Sequence, residues 1–381
     1  MSERVKVVQL IPTMADGGAE TLVKDYALFC DKEKIDMKIV VWSAPLGSAN
    51  ERILSEAGIS VVYLGMKAYD HPSSNIFVRV YRRLDKYLTF KRMIINEKVD
   101  VIHVHLRFGR YLMALPDKVL KNVKLIYTLH NEPKKYFDPN GRGKLRFEYN
   151  EAKRLIKNYG LTIITLHDDM NKQIRGLFSY DKVITINNGI NYDRFNPALY
   201  DRDSIRKTLG IKCDAFVIGH VGSYTEQKNH VFLLKVFDEY RKKNSNSKLI
   251  LVGKGRLKSS IDDMISDMGL KENIISLEDR SDIPELMSAM DVFVLPSQWE
   301  GYPVVMIEAQ RMGLRCVISD RINREVVLND KVAMLDIDGN VNDWIDAIDG
   351  RCEYMPVIGR FDDYDIKKSI ESLQRIYCDN K

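Results

Sequence analysis

Residues 291–319 read DVFVLPSQWEGYPVVMIEAQRMGLRCVIS, and this stretch decides the fold class. It begins with an apolar strand pattern, DVFVLPS (291–297), and ends with a second one, RCVIS (315–319). Between them lies a segment long enough for a helix. Two parallel strands need a crossover connection of this kind, so the stretch predicts a βαβ unit in a parallel sheet.

The same alternation of short strand patterns and longer helical patterns continues in both directions along the chain. Ten further strand patterns lie at 5–11, 37–42, 60–64, 100–105, 124–129, 161–166, 182–186, 215–221, 248–253 and 273–277. An Asn-Gly turn at 188–189 marks a boundary. We therefore expect an α/β protein with two doubly wound Rossmann-like domains facing across a cleft, at 1–190 and 191–360. A final helix at 361–381 is expected to pack back toward the N-terminal domain.

Length and composition exclude several classes of protein. The 381 residues are enough for two domains, and 45% of them are hydrophobic, which argues against a disordered chain. No apolar run reaches the roughly 18–20 residues that span a bilayer, and the first residues show no secretory signal pattern. Five scattered cysteines indicate a reducing compartment without disulfides or a structural zinc site. We expect a cytoplasmic protein.

Charge is divided unequally between the two halves. Residues 1–190 hold 31 Lys and Arg against 21 Asp and Glu, whereas residues 191–381 hold 27 against 32. The basic residues of the first half form two helical patterns, Arg79, Arg82, Arg83, Lys86, Lys91 and Arg92, then Arg142, Lys144, Arg146, Lys153, Arg154 and Lys157. Such helices can rest on an anionic membrane surface, with a solvated helix face as the alternative. Nucleic acid is disfavoured, because aromatic residues are not interleaved for stacking.

Two loops that follow strands carry residues suited to binding phosphate. Gly17-Gly18-Ala19-Glu20 opens a helix after the first strand, where adjacent glycines let a ligand approach the backbone. In the loop 222–230, Lys228 precedes another helix and can neutralise a phosphate. A flexible turn is the alternative for the first loop, and a solvated surface lysine is the alternative for the second.

The loop within the stretch 291–313 carries the strongest functional signal. Glu300 and Glu308 lie about 12 Å apart if the segment is helical, farther than the roughly 5–9.5 Å of a glycosidase carboxylate pair. Pro303 suits the first turn of a helix, whose N-terminal amides at Gly301 and Tyr302 can hold negative charge. An anionic link between hydroxylated rings, as in a nucleotide-sugar, fits this pattern.

These motifs together resemble those of the retaining glycosyltransferases of the GT-B fold, in particular glycosyltransferase family 4. The family's E-x(7)-E element stands at Glu300–Glu308 within P-S-x-x-E-G-x-P. Four other family motifs occur in the family's order: G-G-x-E at 17–20, N-G-[IV]-[DN]-x-x-x-F at 188–195, V-G-x(5)-K-[GN] at 221–229 and L-[IV]-G-x-G at 251–255. The resemblance covers most of the chain.

The resemblance implies a role for each matching residue. Glu300 would contact donor-sugar hydroxyls, Glu308 the ribose, and Lys228 the departing diphosphate. His130, at the end of KLIYTLH, would lie beside the donor sugar, and His105 on the acceptor side; a satisfied core histidine is the alternative for each. The remaining donor-binding residues would be Gly17, Gly18, Gly222, Ser223, Arg256, Gly301, Tyr302 and Pro303. Neither a cofactor nor a metal is expected, and Asp336-Ile337-Asp338 is not interpreted as a metal motif.

Two positions depart from the family pattern. Ser223 stands where many members have a second cation, an arginine, and Arg256 is a candidate to supply that charge. The loop Leu277-Glu278-Asp279-Arg280 replaces the usual L-G-x of the base-binding loop, which weakens any inference about the base. On family frequency alone we expect UDP first and GDP second.

The function expected from the resemblance is metal-independent, retaining transfer of a sugar from a nucleotide-sugar to a glycan or lipid-linked acceptor, in synthesis of a cell-surface polysaccharide or glycoconjugate. A peripheral position at the inner face of the cell membrane accompanies it. Alternatives are a nucleotide-sugar epimerase or phosphorylase on the same fold, and a non-catalytic sugar-nucleotide binder. A dinucleotide oxidoreductase is disfavoured, because no G-x-G-x-x-G follows a strand with an acidic residue about 20 positions on.

Overall fold

A computed structural model describes residues 4–65, 75–106, 109–113 and 115–379 of the chain. The chain divides into two compact units, one formed by Met1–Gly189 together with Ile366–Lys381, and the other by Ile190–Asp365. Each unit has its own parallel sheet with helices, so the expected α/β fold of two doubly wound Rossmann-like domains is confirmed.

The first unit contains a seven-stranded sheet in the order β3-β2-β1-β4-β5-β6-β7, and every described strand pair in it is parallel. Its strands are β1 (Val5–Ile11), β2 (Ile35–Val41), β3 (Val61–Tyr63), β4 (Val101–His105), β5 (Lys124–Thr128), β6 (Thr162–Thr165) and β7 (Val183–Thr185). The strand order reverses between β1 and β4. Ligands of such sheets bind beyond the carboxyl ends of the strands at this reversal.

The second unit contains a six-stranded parallel sheet in the order β10-β9-β8-β11-β12-β13. Its strands are β8 (Phe216–Val221), β9 (Ser247–Val252), β10 (Ile274–Leu277), β11 (Val292–Leu295), β12 (Arg315–Ser319) and β13 (Val332–Leu335). Here the order reverses between β8 and β11. All twelve predicted strands are present, whereas the edge strand β13 was not predicted.

Helices connect the strands and cover the sheets. In the first unit they are α1 (Gly18–Phe29), α2 (Ala49–Glu56), α3 (Ile76–Asn96), α4 (Gly109–Leu112), α5 (Asp117–Leu120), α6 (Pro133–Tyr136), α7 (Lys144–Tyr159) and α8 (Asp168–Phe178). In the second they are α9 (Arg202–Thr208), α10 (His230–Lys243), α11 (Lys258–Asp267), α12 (Ile283–Ser288), α13 (Val304–Arg311) and α14 (Val341–Ile348). Within the described ranges, none of the helices combines the length and the apolar character needed to cross a bilayer.

Strand β11 is buried on both faces, which explains its uninterrupted apolar sequence. All four side chains of β11 are fully buried, and full burial of one such side chain contributes about 1.5–3 kcal/mol. Val292 and Val294 pack with the apolar faces of α10 and α14, including the fully buried Trp344. This packing fixes the carboxyl ends of β8 and β11, where the polar loops begin.

The last helix, α15 (Ile366–Cys378), belongs to the first unit. Its apolar face packs on α1 and β1, with Ile370, Leu373 and Tyr377 buried there. The residues Phe361–Tyr364 form a separate 3-10 turn in the second unit, so the helix begins five residues later than its sequence pattern suggested.

Candidate active site

Lys228 and Glu300 form a largely buried ion pair in the second unit. The Lys228 ammonium donates to the Glu300 carboxylate with 2.6 Å between Nζ and Oε1, and 13% and 7% of the two side chains are exposed. Gln227 donates through Nε2 to the other carboxylate oxygen at 2.9 Å. Because desolvated charges are costly unless they are paired and hydrogen-bonded, these contacts hold both groups in place.

The sheet reversal between β8 and β11 brings these residues together. Lys228 lies in the 3-10 turn Glu226–Lys228 of the loop after β8, and Glu300 lies in the loop after β11. The two loops are also joined by the Gln298 amide, which donates to the Gln227 carbonyl at 2.8 Å. The pair therefore occupies the position where doubly wound sheets bind their ligands.

Glycines allow the loops of this site to approach one another closely. A Cβ on Gly222 would lie 3.1 Å from His220 Nε2 and 3.1 Å from Lys228 Cδ. Gly253 has a φ of +150°, and a Cβ there would lie 2.1 Å from the Gly222 carbonyl oxygen. The glycine of the L-V-G motif is thus explained by the close approach of two backbone segments, whereas the glycine of the V-G motif leaves room for the side chains of His220 and Lys228.

The loop after β11 is fixed by buried side chains. The Tyr302 hydroxyl donates to the Glu325 carbonyl at 3.1 Å, and its ring stacks on Tyr364 with centroids 5.4 Å apart. Gly301, Tyr302 and Pro303 are all buried, so the Tyr302 side chain serves the packing of the loop. Pro303 precedes α13 as its N-cap and does not lie in its first turn.

Glu308 lies on α13, whereas Glu300 lies before that helix begins. The separation calculated for two carboxylates on one helix therefore does not apply to this pair. Glu308 is half-buried on the second turn of α13, while Glu300 is held within the preceding loop by Lys228. The two glutamates occupy distinct positions along this segment.

Ser223 and Arg256 lie in neighbouring loops, and Arg256 has an acidic partner. Its guanidinium pairs with Glu226, and both side chains are mostly exposed. Tyr224 connects the two loops, since its backbone amide donates to the Lys254 carbonyl at 3.1 Å and its carbonyl accepts from Leu257 at 3.1 Å. Arg256 is thus held beside the turn that carries Lys228.

Two buried histidines, neither of them expected as a site residue, lie beneath Lys228. His220 donates through Nδ1 to the Val294 carbonyl at 2.8 Å, and His230, the first residue of α10, stacks on Tyr224 with centroids 4.2 Å apart. Burial lowers the pKa of His230 to about 4 and the pKa of His220 well below its usual value. Both rings are therefore neutral at pH 7. The sequence signal for His230 was its position directly after the Lys228-Asn229 motif.

In the first unit, Gly17 and Gly18 begin α1 as expected. Gly17 is the N-cap residue, and a Cβ there would lie 2.5 Å from a carboxylate oxygen of Glu20. Glu20 is buried and accepts from the Thr13 hydroxyl at 2.8 Å, and burial raises the pKa of its carboxyl. Gly18 is exposed, and a Cβ there would meet nothing within 4 Å. The helix start is therefore open at Gly18.

His105 and His130 are hydrogen-bonded to each other at the carboxyl ends of β4 and β5, with 2.9 Å between Nδ1 of His105 and Nε2 of His130. His105 is fully buried, and its Nε2 contacts Gln9 Oε1 at 2.8 Å. Burial lowers the pKa of His130 to about 3 and the pKa of His105 well below its usual value. The pair is neutral at physiological pH. Gln9, a fully buried polar residue in the strand VKVVQLI, was the missed signal.

The arrangement in the second unit provides an ammonium, a carboxylate and helix N-termini at one sheet edge. An ammonium beside the N-terminus of α10 favours an anion, and a carboxylate accepts hydrogen bonds from hydroxyls. In the first unit, a neutral imidazole pair and an open helix start stand at the corresponding edge. These are the groups that a phosphorylated, polyhydroxylated ligand uses.

Comparison with known families assigns both units. Residues 16–194 match the family described as Glycosyltransferase Family 4, and residues 201–350 match the family described as Glycosyl transferases group 1. The fold and these two matches define a glycosyltransferase. The chain belongs to the family 4 glycosyltransferases of the GT-B fold, as its motifs indicated.

Individual relatives and structures agree with this assignment. The chain is 29% identical to EpsF of Bacillus subtilis, provisionally named a glycosyltransferase, over 85% of this chain and 82% of EpsF. It is 26% identical to the UDP-Gal:alpha-D-GlcNAc-diphosphoundecaprenol alpha-1,3-galactosyltransferase of Escherichia coli, over 86% and 88% of the two chains. The fold is similar to that of Anabaena HepE in complex with UDP-glucose, with a TM-score of 0.72, 18% identity and coverage of 98% and 95%.

Proposed function

We propose that the protein transfers a sugar from a UDP-sugar to a glycan or lipid-linked acceptor, with retention of the anomeric configuration and without a metal ion, in synthesis of a cell-surface polysaccharide or glycoconjugate. The observation that carries the proposal is the buried Lys228–Glu300 pair at the reversal of the second sheet. The family assignment provides the reaction class, and the pair provides the chemistry at the donor.

Charge explains how this site would promote the transfer. The bond between the anomeric carbon and the diphosphate oxygen breaks, and its electron pair remains on the diphosphate. Lys228 and the N-terminal amides of α10 and α13 stabilise that growing negative charge, which is a role that a divalent metal fills in other enzymes. The acceptor hydroxyl oxygen bonds the anomeric carbon, and its proton leaves with the diphosphate. Glu300 orients the sugar through its hydroxyls.

UDP is the donor nucleotide that the relatives favour. The name of the Escherichia coli relative specifies UDP-Gal, and the Anabaena structure contains UDP-glucose. GDP remains the second candidate, because the loop Leu277–Arg280 departs from the family pattern. The acceptor in the Escherichia coli name is a diphosphoundecaprenol-linked sugar, which supports a lipid-linked acceptor for this chain.

A contact with an anionic membrane, at the inner face of the cell membrane, follows from the surface of α3. Its N-terminal part exposes a stripe of large apolar side chains, between 47% and 80% exposed, formed by Phe77, Val80, Tyr81, Leu84 and Leu88. The same helix carries six basic residues, Arg79, Arg82, Arg83, Lys86, Lys91 and Arg92. Helices that combine exposed apolar side chains with cations bind the headgroup region of anionic bilayers. A membrane-bound acceptor lipid would then lie within reach.

The experiment that tests the proposal is a transfer assay with UDP-glucose, UDP-galactose and their N-acetyl forms against an undecaprenyl-diphosphate sugar acceptor, in the presence of EDTA. We expect UDP release that depends on the acceptor, with an α-linked product from an α-linked donor by NMR. Conversion of the donor to its epimer without acceptor would instead identify an epimerase. Loss of all transfer in EDTA would refute metal independence.

A further inference from the structure

A continuous chain of hydrogen bonds runs through the core of the first unit. It begins at Thr128 on β5, whose hydroxyl lies 2.7 Å from Nε2 of His103, and Nδ1 of His103 lies 2.6 Å from the Tyr377 hydroxyl. Gln9 Nε2 donates to the same hydroxyl at 2.7 Å. Thr128, His103 and Gln9 are fully buried, and Tyr377 is nearly so. Since unpaired buried polar groups are costly, this chain is a built feature of the core.

This chain of hydrogen bonds continues to the candidate site. Gln9 Oε1 contacts Nε2 of His105 at 2.8 Å, and Nδ1 of His105 contacts Nε2 of His130 at 2.9 Å. His130 is half-buried, and among the described residues its Nδ1 has no hydrogen-bond partner. The chain thus connects α15, the last helix of the protein, with the imidazole that we place beside the donor sugar.

The hydrogen bonds determine where each proton lies. Gln9 Oε1 is an acceptor, so Nε2 of His105 must carry a proton and donate it. A neutral His105 then has an unprotonated Nδ1, which must accept from Nε2 of His130. His130 is therefore protonated at Nε2, and its Nδ1 presents a lone pair to the site.

This assignment depends on the orientation of the Gln9 amide. The Tyr377 hydroxyl holds the amide in place but can pair with either end of it, so the contact with Met37 selects the orientation. The Gln9 Nε2 that donates to Tyr377 also lies 3.7 Å from Met37 Sδ, a weak acceptor. A reversed amide would place the Gln9 oxygen against that sulfur and would protonate His130 at Nδ1 instead. The amide, and with it every tautomer in the chain, therefore has one favoured orientation.

We infer that Tyr377 and Gln9 are positioning residues for His130, because they hold its imidazole as the Nε2-protonated tautomer with Nδ1 as an acceptor for a substrate hydroxyl. The role at the substrate rests on the proposed function, whereas the tautomer can be measured without any substrate. The C-terminal helix is thereby coupled to the chemistry of the site, although Tyr377 itself is buried.

The test is a long-range 1H–15N NMR spectrum of protein labelled with 15N-histidine, in which protonated and unprotonated ring nitrogens are distinguished. His130→Asn assigns the signals of His130. Tyr377→Phe removes the hydroxyl that holds the Gln9 amide in place, and Gln9→Met removes the amide while keeping the side-chain length. Tyr26→Phe is the matched control, because Tyr26 is a buried tyrosine of the same core cluster, stacked 6.5 Å from His103, and it forms no link of the chain.

We expect His130 to be protonated at Nε2 in the natural protein and in Tyr26→Phe, and to become a mixture of tautomers in Tyr377→Phe and Gln9→Met. In the transfer assay, the kcat of these two variants should fall at least about tenfold, while their KM for the donor should stay unchanged. Removal of residues that set a tautomer lowers activity in this way in other enzymes. An Nδ1-protonated His130 in the natural protein, or an unchanged spectrum in both variants, would overturn the inference. Absence of transfer by the natural protein would instead refute the proposed function and leave the tautomer assignment standing.

Discussion

The ammonium nitrogen of Lys228 lies 2.6 Å from a carboxylate oxygen of Glu300, across 72 positions of sequence. We place Lys228 at the departing diphosphate and Glu300 at the donor sugar. Without a donor, these two side chains are therefore hydrogen-bonded to each other. A nucleotide-sugar would exchange this contact for a phosphate at Lys228 and hydroxyls at Glu300. The two residues orient each other, so a change in one affects both halves of donor binding.

Removal of the Lys228 ammonium should slow transfer strongly. Lys228→Ala should lower kcat by about 10²–10³-fold, the usual loss when one group that stabilises developing negative charge is removed. Initial rates of UDP release in the presence of acceptor measure the effect. Lys235→Ala is the matched control, because Lys235 is an exposed lysine on α10. Equal rates for the two variants would contradict the role of Lys228.

The ion pair should also be visible in the free energy of unfolding. Lys228→Met and Glu300→Gln each leave a largely buried partner without its counter-charge, and each should destabilise the protein by up to about 3–5 kcal/mol. The double variant leaves no unpaired charge, so its loss should be smaller than the sum by about 0.5–3 kcal/mol. Urea denaturation of all four proteins measures this difference. Strict additivity would show that the two charges do not interact.

Gly18 should matter for donor binding and not for folding. A methyl group at Gly18 meets no protein atom within 4 Å, so Gly18→Ala should leave the thermal midpoint unchanged or raise it. If the donor approaches this helix start closely, the methyl should weaken UDP-sugar binding about tenfold, measured by calorimetric titration. Gly176→Ala, in α8 and equally unobstructed, is the control that should leave binding unchanged. Unchanged binding by Gly18→Ala would place the donor elsewhere.

Buried neutral histidines should make the protein less stable in acid. Burial lowers the pKa of His103 and His130 to about 3 and the pKa of His230 to about 4, whereas an unfolded histidine titrates near about 6.5. The unfolded chain therefore binds more protons below about pH 6.5, and the free energy of unfolding falls as the pH decreases from there. Above about pH 6.5 the neutral histidines make their full contribution to the free energy of unfolding.

The variant His230→Phe measures the contribution of His230 alone to this pH dependence. His230→Phe keeps an aromatic ring against Tyr224 and removes one titrating group. Between pH 4 and 6.5 its unfolding free energy should fall less steeply than that of the natural protein, by about 1.4 kcal/mol for each pH unit. Urea midpoints at several pH values give both slopes. Parallel slopes would show that His230 has the same pKa in the folded and the unfolded protein.

The exposed stripe of α3 should determine membrane binding. In flotation experiments we expect the protein to float with vesicles that contain anionic lipid and to remain behind with neutral vesicles. Phe77→Ser with Leu84→Ser should abolish flotation, since both side chains lie on the stripe and are mostly exposed. Leu199→Ser changes an equally exposed leucine of the second unit and should have no effect. Equal, negligible flotation with both kinds of vesicle would refute the proposed contact with an anionic membrane.

The alternation of strand and helix patterns was sufficient to predict the architecture, because strands buried on both faces have mostly apolar sequences. Strand β13 was missed, since Val332 is the only β-branched residue of its sequence VAML, and alanine, methionine and leucine favour helix. The start of α15 was placed five residues early because aromatic residues of the preceding 3-10 turn continued its apolar pattern. Both errors concern short segments whose structure depends on tertiary contacts.

Local motifs indicated the candidate site residues, but they could not show how these residues pair. The contact between Lys228 and Glu300 depends on the adjacency of β8 and β11, and the pairing of Arg256 with Glu226 depends on two loops meeting. The bond between Gln9 and Tyr377 joins residues 368 positions apart. A polar residue in an apolar strand indicates that a buried hydrogen-bond partner exists, but the sequence does not identify that partner.

The most direct test of the central claim is the thermal midpoint of the protein with UDP, GDP, ADP or NAD. A nucleotide at 100 times its dissociation constant should add about 2.7 kcal/mol to the free energy of unfolding. We predict the largest rise with UDP, none with NAD, and loss of the UDP effect in Lys228→Ala but not in Lys235→Ala. No rise with any nucleoside diphosphate would contradict the account of the Lys228–Glu300 site.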